Sequence, residues 1–357
     1  MKICINGTGN VSPQPTWDNS QFLEQVREYR ARMIRCLEPE VDPGLDEKYL
    51  RRMNRMLRLG WIASKICLDD AGAGVPDGII TGSGWGSVHD SEKFLLSIYK
   101  NKENLLPPTP FIQSTHNALG SQIAILLGNY RYNVAYAHAS FAFEHALLDA
   151  MCQLRNGEMQ NVLLGGFDEI TENQFTLIGR LGRYKKKPVS NLSLYHTGTS
   201  GSIAGEGFTF FCLQGEETSK TYAEVKDVAT LFDEPNVVRA ADGIRSFLQR
   251  NGLEPEDTDW VFTGMNGDAD DDQVYRDVLR NLFPAGTGIA AWKHLCGEYL
   301  TASAFAMWAA AKALKGQTIP KTMKILDNSR SKEINHILIY NHFKGMHHSL
   351  ILLRRPG

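Results

Sequence analysis

Short apolar strand patterns alternate with amphipathic helical patterns along nearly all of the 357 residues, in two successive series. The first series reads as strand 2–6 ending in a turn at Gly7, Thr8 and Gly9, helix 47–71, strand 77–84, helix 120–128, strand 132–137, helix 141–156 and strand 161–165. The second reads as strand 221–230, helix 237–251, strand 259–263, helix 271–283, strand 287–291, helix 299–315 and strands 335–341 and 348–354. Such alternation builds a parallel or mixed sheet with helices on its faces. The polar stretch Glu216–Lys220 joins the series, predicting halves of 1–216 and 217–357. No shorter repeat is present, which excludes a solenoid. The least regular stretch, 180–200, is rich in Lys, Ser, Gly and Thr and reads as surface loop.

One segment carries chemistry. In YNVAYAHASFAFEHALLDAMCQLRNGEMQNVLLGGFDE (132–169) a strand runs into a tight Ala-His-Ala-Ser turn, and a long amphipathic helix starts at Ser140. That helix ends at Asn156-Gly157, and the next strand closes on Gly165-Gly166. A residue at such a helix N-terminus faces free N–H groups and the positive end of the helix dipole, which stabilise an anion such as a thiolate.

This segment resembles the nucleophile turn of the β-ketoacyl synthases, with Ser140 where that family places its Cys. The spacing on to Gly157 and to Gly165-Gly166 is similar. SIAGEGFTFFCL (202–213) resembles the family's Gly-Glu-Gly strand, with Glu206 in the Glu position. TYAEVKDVA (221–229) resembles the strand opening its second half, and IPKT (319–322) the segment after its last long helix. The resemblance spans nearly the whole chain. It implies the thiolase-type α/β fold, two similar βαβ halves in five α-β-α-β-α layers.

The family's condensing residues are mostly replaced. Its first His begins a His-Gly-Thr motif, and counting back from Asp272 in VFTGMNGDADDDQVYRDVL (261–279) puts Gly264 there. Its second His follows a Lys by five residues; AWKHLCGEY (291–299) keeps Lys293 but has Glu298 in that place. A carboxylate cannot donate to a developing oxyanion unless protonated. The family's Gly-Phe-Gly-Gly loop aligns with His342-Phe343-Lys344-Gly345, so the gating Phe343 is kept while two glycines become His and Lys. The loop is expected to be stiffer for that loss. Ser140→Cys alone would not restore condensation; Gly264→His and Glu298→His would have to accompany it.

Simpler readings stand beside these. Ser140 reads first as a helix cap, since Ser favours that position and no well-placed His is evident. His138 and His145 flank it and read as core or surface residues. Lys293 and Glu298 read either as an ion pair filling the old site or as two unrelated charges. Asp268, Asp270, Asp271 and Asp272 look like a calcium loop but lack its later Glu, so no metal is expected. His196–Gly201 lacks a phosphate-loop Lys and reads as a flexible turn. Met307 and Trp308 read as core.

The resemblance implies a degenerate ketosynthase acting as the chain-length-factor-type partner of an intact ketosynthase subunit. Aromatic polyketide, aryl-polyene and flexirubin-type pathways use such pairs. The alternatives are a Ser-dependent acyltransferase or hydrolase using Ser140, or a divergent active 3-oxoacyl-ACP synthase. A dimer is expected through the strand and turn before Ser140 and part of segment 107–122, with Phe111 reaching toward the tunnel floor. The expected partner is the intact subunit, with self-pairing as a second possibility and the acyl carrier protein bound only indirectly. No cofactor is implied. A net charge of −2 gives no reason to propose nucleic acid, and no apolar stretch has bilayer-spanning length. Six scattered Cys without CxxC spacing fit reduced thiols, and no leader peptide is evident, so a cytoplasmic protein is expected.

Overall fold

The computed structural model describes residues 1–40, 44–233, 235–327 and 333–357. Among them the strands, in chain order, are β1 (Cys4–Val11), β2 (Arg30–Ala31), β3 (Gly78–Gly82), β4 (Tyr132–Tyr136), β5 (Asn161–Asp168), β6 (Val189–Ser190) and β7 (Gly207–Gln214). The chain continues with β8 (Ala223–Phe232), β9 (Trp260–Thr263), β10 (Gly288–Ala291), β11 (Lys324–Leu326), β12 (His336–Phe343) and β13 (His347–Arg354). The helices are α1 (Glu47–Leu50), α2 (Arg55–Ala71), α3 (Val88–Lys100), α4 (Pro108–Gln113), α5 (Ala118–Leu127), α6 (Ala142–Arg155), α7 (Glu172–Arg180), α8 (Val237–Arg250), α9 (Ala269–Leu282), α10 (Lys293–Cys296) and α11 (Ser303–Gly316).

The two series build the same topology twice. The first gives the order β4-β3-β5-β7-β1 and the second β10-β9-β12-β13-β8, with β11 added at the far edge. In each, three strands run parallel and the other two are antiparallel to their neighbours. The two blocks join edge to edge where Cys4 and Ile5 pair with Glu224 and Ala223. α6 and α11 lie between the blocks in one apolar core. α2 and α5 cover the outer face of the first block, and α8 and α9 that of the second. This is the five-layer, thiolase-type arrangement.

Three expectations need correction. The turn expected at Gly7–Gly9 is strand, because β1 runs on to Val11. A Cβ on Gly9 would strike the Ala63 carbonyl, so these glycines let α2 press onto β1. The expected helix 47–71 is two helices, and Asn54 caps the second by accepting Leu57 N–H. Stretch 180–200 is not simply surface loop: Lys185, Asn191 and Leu194 are buried. The Lys185 ammonium donates to Thr197 Oγ1, Thr199 O, Thr199 Oγ1 and Gly267 O. Those bonds pin the expected flexible turn 196–201 onto the loop after β9.

Candidate functional site

β4 is the last strand of its block, and the chain leaves it through exposed Ala137, His138 and Ala139. Ala139 takes φ +41°, a left-handed conformation that costs an L-residue about 1 kcal/mol or more. It turns the chain sharply into a 3₁₀ turn, Ala139–Phe141, which runs directly into α6. Gly82 makes room for this, since a Cβ there would strike the Ala142 carbonyl.

Ser140 does not cap α6. The 3₁₀ turn puts Phe141 at the cap position, and no side chain caps the helix there. The Ser140 hydroxyl is buried and lies 3.0 Å from Nδ1 of His347. Neither flanking His supplies that contact: His138 stacks on Phe141, and His145 packs between Phe141, His138 and Tyr136. His347 begins β13 and pairs with Phe343 across the β12–β13 hairpin. Burial, then nearby His138, push its imidazole below the ordinary His value, so it is neutral at neutral pH.

Gly264, read from the sequence as the first His position, follows β9 and donates its N–H to Tyr340 O at 2.9 Å. A Cβ there would overlap Asn341 Oδ1 and the Tyr275 hydroxyl. Those two groups are themselves tied, with Tyr275 donating to Asn341 Oδ1 at 3.2 Å and accepting His342 N–H at 2.8 Å. The space an imidazole would need is occupied by a buried polar cluster.

Lys293 and Glu298 form an ion pair. The ammonium donates to both carboxylate oxygens, at 3.0 and 2.9 Å, with its own side chain only 2% exposed and that of Glu298 19%. Asn266 Nδ2 donates to Glu298 Oε2 at 2.9 Å and to Asp271 Oδ2 at 3.2 Å. The acidic run serves the backbone: Asp268 caps α9, and buried Asp272 accepts the N–H groups of Asn266 and Gly267. Among the described residues no group of three or more His, Cys, Asp or Glu is placed to hold a metal ion.

The altered loop completes the network. His342 Nδ1 accepts Gly345 N–H and its Nε2 donates to Asp271 O, both at 3.1 Å, while its ring stacks on Tyr275. Burial is the main reason its pKa falls to about 3, helped by His348 and Lys293. Lys344 takes φ +59°, a conformation natural to glycine. Phe343, half-buried, lies under the Arg183 guanidinium and 6.1 Å from the His347 ring. It lines a cavity of about 710 Å³ whose walls include Trp85, Tyr184, Asp271, Glu298 and Leu300.

The five residues singled out from sequence thus fall around one region, but they do not form one constellation. Lys293 and Glu298 bond each other, Gly264 is sealed off, and Ser140 pairs with a residue the sequence reading passed over. The signal for His347 was its place four residues beyond Phe343, opposite it in a tight hairpin. Of the residues that hold the network together, His342 was visible in the sequence as a replaced glycine, and Asn266 carried no separate signal.

Residues 45–189 match the family described as "Beta-ketoacyl synthase, N-terminal domain". The chain is 23% identical over 307 residues to Nodulation protein E of Rhizobium sp. (strain N33), covering 80% of this chain and 75% of that protein. Its fold matches the ishigamide ketosynthase/chain length factor at a TM-score of 0.78, with 20% identity over 100% of this chain and 99% of the other. It matches a β-ketoacyl synthase from Burkholderia phymatum STM815 at 0.79, with 17% identity over 100% of both chains. A type II polyketide synthase acyl-carrier protein in complex with its ketosynthase matches at 0.75, with 13% identity over 99% of each chain. Among the described residues no helix is long and apolar enough to cross a membrane.

Proposed function

We propose that this protein, which carries a β-ketoacyl synthase N-terminal domain within a thiolase-type fold, is the non-condensing partner of an intact ketosynthase. It would act as a chain-length factor does, in the biosynthesis of a fatty-acid- or polyketide-type chain such as an aryl polyene. The observation that carries this reading is the polar network around Lys293 and Gly264, whose side chains bond one another. Lys293 is held by both oxygens of Glu298, and Asn341 and Tyr275 occupy the space beside Gly264. Among the described residues the nearby side-chain donors Lys293 and Asn266 are turned to carboxylates rather than to a thioester carbonyl, and removing a single such donor costs about 100- to 1000-fold in rate.

The partner surface follows from the sheet. β4 ends its block, and all five of its residues are only half-buried. An open strand edge of this kind is a template for another strand. Exposed apolar side chains also lie on or next to α3 and α4, among them Leu95, Tyr99, Leu105, Phe111 and Ile112. Pairing of β4 with its counterpart in the ketosynthase would continue the sheet across a two-fold axis, and the partner would cover the apolar side chains of α3 and α4. An obligate interface of that kind buries on the order of 2,000 Å² or more. The carrier protein would then be engaged through the intact subunit, in the cytoplasm. Co-expression with the intact ketosynthase, followed by size-exclusion chromatography and a condensation assay, tests the reading. A stable complex with activity absent from either chain alone supports it, and two chains that elute and act independently refute it.

A further inference from the structure

The Ser140 hydroxyl is left over from that account. It caps no helix, it is 4% exposed, and its partner is a His brought from 207 residues away. We propose that Ser140 and His347 form a hydrolytic dyad that cleaves acyl thioesters, an activity separate from condensation.

The geometry fits the step. With the imidazole proton on Nε2, Nδ1 accepts from the Ser140 hydroxyl at 3.0 Å, as a general base must. Ser140 Oγ attacks the carbonyl carbon as its proton passes to His347 Nδ1. The C–S bond then breaks, and the leaving thiolate takes that proton. Water attacks the resulting ester with His347 again as base, the C–Oγ bond breaks, and the proton returns to Ser140. Atoms balance, and no oxidant or other reactant is needed. Ser140 lies beside the N-terminus of α6, a 14-residue helix whose positive end faces an oxyanion formed there. A neutral His347 is ready to act as base at neutral pH.

The surroundings indicate the substrate class. The rings of Phe141 and Phe232 lie 4.9 Å from the His347 ring, and Phe343 lies 6.1 Å from it. Phe343 also lines the 710 Å³ cavity. An apolar acyl chain suits the three rings, while the cavity beyond Phe343 has largely polar walls, Asp271 and Glu298 among them, that suit the polar carrier of a thioester. No carboxylate bonds His347 among the described residues, so its ring lacks the orienting partner of a full triad. Such a dyad suits a good leaving group, a thiol, rather than an amine.

The test incubates the purified chain with acetyl- and octanoyl-N-acetylcysteamine, following thiol release by absorbance and acyl adducts by peptide mass spectrometry. Thiol release is expected, with any adduct on Ser140. Ser140→Ala should abolish it, and His347→Asn should slow it by about 100-fold or more. His196→Asn, altering an exposed ring on the 196–201 turn, should leave it in place. If His347→Asn fails to fold by circular dichroism, Ser140→Ala decides alone, since it removes only one oxygen. No release by the wild type, or release unchanged in Ser140→Ala, overturns the proposal. Neither result bears on whether the chain pairs with a ketosynthase, so the two readings fail separately.

Discussion

Gly264 and Glu298 are the two residues on which the proposed loss of condensing chemistry rests. Gly264 has no room for any Cβ without moving Asn341 or Tyr275. Gly264→His should therefore lower thermal stability, by about 1–3 kcal/mol from overpacking. It follows that the triple change Ser140→Cys, Gly264→His and Glu298→His does not rebuild a ketosynthase, because the new His cannot seat. Thermal melts of the single variant and a malonyl decarboxylation assay of the triple variant check both statements. Glu298→Ala leaves the buried Lys293 ammonium without its carboxylate, and breaking a buried pair in this way costs about 3–5 kcal/mol. The partial exposure of Glu298 puts the expected loss at the low end of that range. Lys293→Met in the same chain should recover much of it, and a double-mutant cycle measures the coupling. Of the two readings of Lys293 and Glu298, the ion pair is the one present. Spacing of five residues alone could not choose between them, because the contact depends on the short helix α10 and the bend that follows it.

At the scale of elements, the alternation of strand and helix periods was legible because each half buries its strands between helices. The repeated strand order grew directly from it. What the sequence hid lies at element ends. Ser140 looked like a cap until a 3₁₀ turn shifted the cap to Phe141, and hydrogen bonding within three residues leaves no distinct pattern. The β1 glycines looked like a turn because close helix approach and chain reversal both call for glycine. The β12–β13 hairpin shows the reverse case, in which substituted glycines were visible but their consequence was not. There Lys344 holds a left-handed conformation, and His342 is locked neutral between Gly345 N–H and Asp271 O. This lock has a pH signature. Because burial lowers the His342 pKa to about 3, its contribution to stability is full above the ordinary value of 6.5 and is lost as pH falls from 6.5 toward 3. His342→Asn should be less stable than wild type at pH 7.5, and the difference should shrink as the pH falls through that window. Urea denaturation at several pH values measures it, and a gap that stays constant would remove His342 as the cause.

For the whole molecule, the edge strand β4 and the exposed apolar side chains of α4 separate folding from association. Phe111 is 56% exposed and packs only partly, against Phe94 at 5.1 Å. Phe111→Asp is expected to leave the monomer folded and to weaken pairing, read as an unchanged circular dichroism spectrum and a later elution volume. The most direct test compares the products of an intact ketosynthase with its carrier protein, with and without this chain, by mass spectrometry. The account predicts that adding the chain sets the length or yield of the product, and that the chain alone forms none. Identical products in both reactions, or condensation by this chain alone at the speed of an ordinary ketosynthase, would contradict it.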